Sequence, residues 1–169
     1  MTDNKHKNYE ILNLIGYGLA KFSEAFIKEF EVNSKTAFYE IYVRNKVAET
    51  TGTIKNRQDL FDPFFDNGRK GWWQKGNTYL HRKLFIDSLF GNLNAADYAA
   101  MVKLYLIKES DVSLFDEAKV SPIIKSRFKQ LKTTGEEAEV YFINNYRELP
   151  VFNNFLIEDA RNLGDGYDF

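Results

Sequence analysis

The residues with the chemistry to act on something else gather in two places. At the C-terminal end, Gly164-Asp165-Gly166-Tyr167-Asp168-Phe169 reads as a turn opening into a strand, with Asp168 between two aromatics. A carboxylate buried on a strand is costly unless it is paired or binds a metal. The same residues also read as an ordinary acidic, solvated tail. The second place is Arg69-Lys70-Gly71-Trp72-Trp73-Gln74-Lys75, where both tryptophans of the chain are flanked by cations. Stacking on bases together with phosphate contact needs that mixture. A loop can also hold itself down with the same residues, burying its indoles under Lys and Arg stems. His81 is a poor candidate base, since the other histidine, His6, lies in the N-terminal tail and no obvious nucleophile or orienting partner can be named. There is no cysteine, which excludes disulfides, thiolate chemistry and Cys-based zinc sites.

The elements that must position these residues read as helices. Ile11, Leu12, Ile15, Leu19 and Ala20 recur at helical spacing over Asn8–Ala20, where Gly16 and Gly18 either weaken the helix or mark a close contact. Ser23 is placed to cap a short helix whose Phe22, Phe26 and Phe30 share one face, and Ser34 or Asn33 to cap a longer one reaching about Ala48. Asp66-Asn67-Gly68 and Lys75-Gly76-Asn77 are turn signals in a basic centre. Further helices are expected over Tyr79–Phe90, stopped by Gly91, and over Ala95–Ile107, capped by Asn94. Others are expected from Ser121-Pro122 and from the capping box Thr134-Gly135-Glu136-Glu137. The fold class that follows is mainly α, a compact multi-helix domain. Little or no β is expected beyond short hairpin or strand pieces near the centre and the C-terminus. The chain divides at 1–92 and 93–169, or packs as one domain.

The span Phe26-Ile27-Lys28-Glu29-Phe30-Glu31-Val32-Asn33-Ser34-Lys35-Thr36-Ala37-Phe38-Tyr39 resembles the helix-turn-helix of DNA-binding regulators. Such a motif presents the start of its second helix to base edges. The resemblance implies that Lys35, Thr36, Tyr39 and Arg44 face outward to nucleic acid. Glu31 stands where the motif usually has a turn glycine, and Glu40 would oppose phosphate. An αα-hairpin without any nucleic-acid role has the same pattern.

The last 35 or so residues carry a second likeness. Gly135-Glu136-Glu137-Ala138-Glu139 followed by Gly166-Tyr167-Asp168-Phe169 resembles the opening of a restriction-endonuclease-like PD-(D/E)xK domain of restriction and DNA-defence proteins. In that family a strand Asp and the Glu of a following Glu-x-Lys hold Mg²⁺, which activates water, and a helix Glu assists. The resemblance carries over to Glu139 and Asp168 alone. No Glu-x-Lys follows Asp168 in this chain, and one Asp with one Glu is too few ligands for a hard cation. The two carboxylates are therefore vestigial candidates. No catalytic set is complete and no cofactor is expected, Mg²⁺ entering only if a further segment completes the site. The chain is not expected to cut DNA.

With 169 residues, 44% of them hydrophobic, the chain can bury a real core. Its net charge of −1 hides an asymmetry: fourteen basic against eleven acidic residues through Phe90, then nine against thirteen. The most basic stretch is Ile54–Lys83, with seven cations and three aspartates. The apolar stretch near Ala95–Ile107 is too short to span a bilayer, and the polar start lacks a signal core, so a cytoplasmic setting is expected. The expected function is DNA binding or recognition, through Lys35, Thr36, Tyr39, Arg44, Arg69, Lys70, Trp72, Trp73, Lys75 and Arg82. The alternative is a helical interaction protein that forms a homodimer and binds no nucleic acid.

Overall fold

A computed structural model of the chain describes residues 8–110, 112, 115–117, 120–126, 129, 144 and 147. Asn8–Lys125 forms one compact unit, and the architecture below is that unit. Among the described residues it contains six α-helices between Tyr9 and Glu109, two 3₁₀ turns and a further helical stretch from residue 122, without a strand, so the protein is mainly α as expected. The expected strand pieces near the centre are absent there. Residues 93–125 pack into the same unit as 8–92, so no boundary falls at residue 92.

The core is built around α1, Tyr9–Phe22, which is buried on every side from Ile11 to Ala20. A helix apolar all round has to be surrounded. Its glycines are points of close approach. A Cβ on Gly16 would lie 2.6 Å from the Arg57 carbonyl, so α4, Thr51–Phe61, crosses with its backbone almost touching. A Cβ on Gly18 would lie 2.8 Å from the Phe26 ring and 2.9 Å from that of Tyr98.

Tyr98 belongs to α6, Ala95–Glu109, capped by Asn94, which accepts a hydrogen bond from the Asp97 amide. Its buried hydroxyl donates to the Leu14 carbonyl at 2.8 Å. Its ring meets Tyr17, Phe22 and Phe26 at 5.4–5.8 Å. Phe26, Phe30, Phe38 and Tyr42 continue the cluster edge to face at 4.9–6.2 Å. Such pairs contribute about 0.5–1.5 kcal/mol each beyond the area they bury. This is where the aromatic surplus goes.

The helix-turn-helix-like segment comprises α2, Glu24–Lys28, and α3, Lys35–Arg44. Ser23 does not cap α2: its φ of 51° marks a sharp break after α1 and its side chain makes no capping bond. Ser34 does cap α3, accepting from the Ala37 amide at 3.0 Å. Glu31 stands at φ 57°, the left-handed conformation that a turn glycine would supply. The helix ends at Arg44 rather than near Ala48. Lys46 turns left-handed at φ 57°, and the Val47 and Ala48 amides both fold back on the Tyr42 carbonyl. Asn8 then ties the start of α1 to this turn, donating to the Lys46 and Val47 carbonyls at 3.1 and 3.0 Å.

The largest departure from expectation is α4, in a stretch to which no element is assigned from sequence. Thr50 caps it, accepting from the Thr53 amide at 3.3 Å. Its inner stripe is Ile54, Gln58 and Phe61, a helical spacing with a glutamine in the middle. α5, Leu80–Phe90, follows the loop, and residues 122–126 are helical as the Ser121-Pro122 signal implied. The helix expected from Thr134 lies outside the described residues.

Candidate nucleic-acid interface

The loop carrying the tryptophans is strapped to the end of α4 by a polar node centred on Asp62. Asp62 is fully buried, and its carboxylate accepts from Gln58 Nε2 at 3.3 Å, Asn67 Nδ2 at 2.8 Å and Arg69 Nε at 2.7 Å. Arg69 spends its other arm on Asp59, Nη2 donating at 2.7 Å. Hydrogen bonding to Asp62 pushes the guanidinium's pKa above its ordinary value. Asn67 turns the chain back on itself, accepting from the Arg69 amide at 2.9 Å and donating to the Ala20 carbonyl at 2.8 Å. Gly71, at φ 47°, lets the backbone pass where a Cβ would lie 2.3 Å from the Asp59 carbonyl oxygen. The Trp72 amide bonds that same carbonyl at 2.8 Å.

Above this anchor the loop tip is open. Trp73–Lys75 forms a 3₁₀ turn, with Lys70, Gln74 and Lys75 exposed and the Trp73 indole 64% exposed. Trp72 is half-buried, its ring 6.2 Å from Tyr79. The loop is thus anchored at its base and open at its tip. Arg69 and Trp72 hold it down, while Lys70, Trp73 and Lys75 project.

Beyond Tyr79 runs a ladder of cations and rings. The Arg82 guanidinium lies 4.9 Å from the Tyr79 ring centre and 5.0 Å from that of Tyr9, and Arg57 lies 5.3 Å from Tyr9. Neither arginine has an ion pair among the described residues, and Arg82 Nε is buried without a hydrogen-bond partner. Burial first, and then the Arg82 charge, lower the Arg57 pKa.

The α3 residues do not assemble a free face. Lys35 is half-buried with its ammonium 5.8 Å from the Tyr39 ring, and burial followed by the Arg69 charge lowers its pKa. Tyr39 is half-buried, its hydroxyl 3.5 Å from Gln58 Oε1, and burial pushes its pKa up to about 12. Both lean toward α4 and the Asp62 node instead of facing outward. Thr36 and Arg44 are exposed, and Arg44 pairs with Glu40 at 2.6 Å. Glu139 and Asp168 lie outside the described residues. Among those described, no three His, Cys, Asp or Glu gather as a metal site.

Reading the sequence missed Arg57, Tyr9 and Tyr79. The available signal was helical placement of Arg57 beside the Ile54–Phe61 stripe. Comparison of the chain with protein-family models, with curated proteins and with solved structures gives no match.

Proposed function

We propose that the chain is a DNA-binding recognition module, related to restriction and defence nucleases as the likeness around Glu139 and Asp168 implies, and not itself catalytic. One observation carries the reading: an indole 64% exposed, with exposed Lys70 and Lys75 beside it, on a loop whose base is clamped by a buried ion-paired node. A flat π-face with adjacent cations suits a base and its phosphate, and a loop ordered beforehand loses little entropy on binding. Arg82 extends the surface. Arg69 supports it from below and contributes no phosphate contact.

The test is fluorescence anisotropy with labelled single-stranded and duplex DNA across a salt series. Trp73→Ala should weaken single-strand binding about tenfold or more. Lys70→Ala with Lys75→Ala should flatten the salt slope by roughly one to two phosphate equivalents. Absence of any shift at low salt, or indifference to Trp73→Ala, overturns the reading. Incubation with Mg²⁺ or Mn²⁺ should leave the DNA intact. No described helix is long and apolar enough to cross a membrane, and the cysteine-free composition supports a cytoplasmic setting.

A second reading, self-association through an apolar surface, rests on α5. Leu84 and Phe85 are 55% and 66% exposed on it. Sedimentation of the protein and of Phe85→Glu distinguishes the two: a dimer abolished by the substitution, with no DNA shift, favours the second.

A further inference from the structure

Arg57 and Arg82 come from different helices, 25 positions apart in the chain, and meet at one aromatic ring. Both guanidinium carbons lie within 5.3 Å of the Tyr9 ring centre, so they stand no more than about 10 Å apart. Two like charges that share one ring, with the Arg82 charge felt at Arg57, need a reason. Neither is neutralised, for no carboxylate pairs with them among the described residues. The ring faces attract each cation and cancel none of the charge. Arg82 adds a buried N–H that nothing accepts, one of three such buried side-chain atoms among the described residues, with Asn13 Oδ1 and the Tyr42 hydroxyl. Elsewhere in the same stretch the fold had acids available and used them, on Arg69.

We propose that Arg57 and Arg82 form the receptor for a phosphomonoester dianion borne by a nucleotide. Two guanidinium forks match a dianion in charge and in donor geometry, since each offers paired N–H groups to phosphate oxygens. Tyr79, 4.9 Å from Arg82, and Trp72, 6.2 Å from Tyr79, add two half-buried rings beside Arg82 on which a base can stack. A phosphodiester carries one charge and would leave the pair half-neutralised. The site shares Arg82 with the interface proposed above but does not rest on that reading, because it needs neither Trp73 nor the loop lysines. A free nucleotide and the phosphorylated end of a strand both offer this chemistry.

The experiment uses the full chain with four probes: AMP, cyclic AMP, and a twelve-nucleotide thymidine strand with a 5′-phosphate or a 5′-hydroxyl. Calorimetry should show AMP binding at least tenfold tighter than cyclic AMP, which keeps the base and loses one charge. Arg57→Gln and Arg82→Met should each abolish the AMP heat, and Trp73→Ala should leave it in place. Arg57→Lys, which keeps the charge and the stem, should weaken AMP because the fork is gone. Tighter binding of the 5′-phosphorylated strand than of its 5′-hydroxyl twin assigns the strand end as the source. AMP binding without that difference assigns the free nucleotide. Equal affinity for AMP and cyclic AMP overturns the proposal, as does AMP binding that survives Arg57→Gln. So does failure of both AMP and the phosphorylated strand to bind at millimolar concentration. Loss of strand binding in Trp73→Ala with AMP unaffected would separate the loop's role from this one.

Discussion

Arg69 and the Arg57–Arg82 pair come from the same basic stretch of chain and sit in opposite electrostatic company. Arg69 reaches two carboxylates at 2.7 Å, one of them fully buried. Arg57 and Arg82 reach aromatic rings and each other's field. The difference teaches that a count of cations says little about available positive charge. What matters is which acids the fold brings to them. Arg69 has its charge consumed in holding a loop, while the neighbouring Lys70 and Lys75 stand exposed. Arg57, counted among the cations of that stretch but not singled out, has no carboxylate partner among the described residues.

Removing Arg69 should therefore have the largest effect on stability. Arg69→Ala leaves the Asp62 carboxylate in the core with only Gln58 and Asn67 to satisfy it. Breaking a buried pair from one side costs about 3–5 kcal/mol, and the partial exposure of the Arg69 side chain points to the low end. Chemical denaturation should show a loss of about 3 kcal/mol. A loss below about 1 kcal/mol, as for a surface pair, would erase the contrast between the two regions. Gly16→Ala comes next. Its methyl would meet the Arg57 carbonyl at 2.6 Å, and backbone cannot rotate out of the way. Overpacking of this kind costs about 1–3 kcal/mol. The same displacement moves Arg57 off Tyr9, so the variant should also lose AMP affinity in calorimetry. Retained affinity would mean that the close crossing of α1 and α4 does not position the arginine.

What was legible in the sequence was local. Ser34 and Asn94 cap their helices as read, because a cap is one side chain bonding a backbone amide three residues on. The mainly helical class followed from apolar spacing. Ser23 failed as a cap because the chain needed a sharp reversal there, at φ 51°. α4 was illegible because its buried stripe passes through Gln58, a polar residue inside only because Asp62 and Tyr39 give it partners. Gly16 and Gly18 left a choice between weakness and close approach that only the partner helices resolve. At the candidate interface, residue types were readable and their pairing was not. Asp62 and Arg69 are seven apart across a turn, and Arg57, Arg82 and Tyr9 are brought together by three different helices.

The smallest expected effect is the sharpest test of the contrast. Arg82→Met removes a charge as Arg69→Ala does, and removes the unpartnered Nε with it. The lost cation–π contacts with Tyr9 and Tyr79 are worth about 0.5–1 kcal/mol where solvent reaches them. Relief of the repulsion with Arg57, and of the desolvated N–H, works in the other direction. The two nearly cancel, so denaturation of the ligand-free protein should place Arg82→Met within about 0.5 kcal/mol of the parent. The variant should gain relative to the parent at low ionic strength, since salt screens the repulsion that the parent alone carries. A loss matching that of Arg69→Ala would mean that Arg82 answers an acid, and the two regions would then be alike.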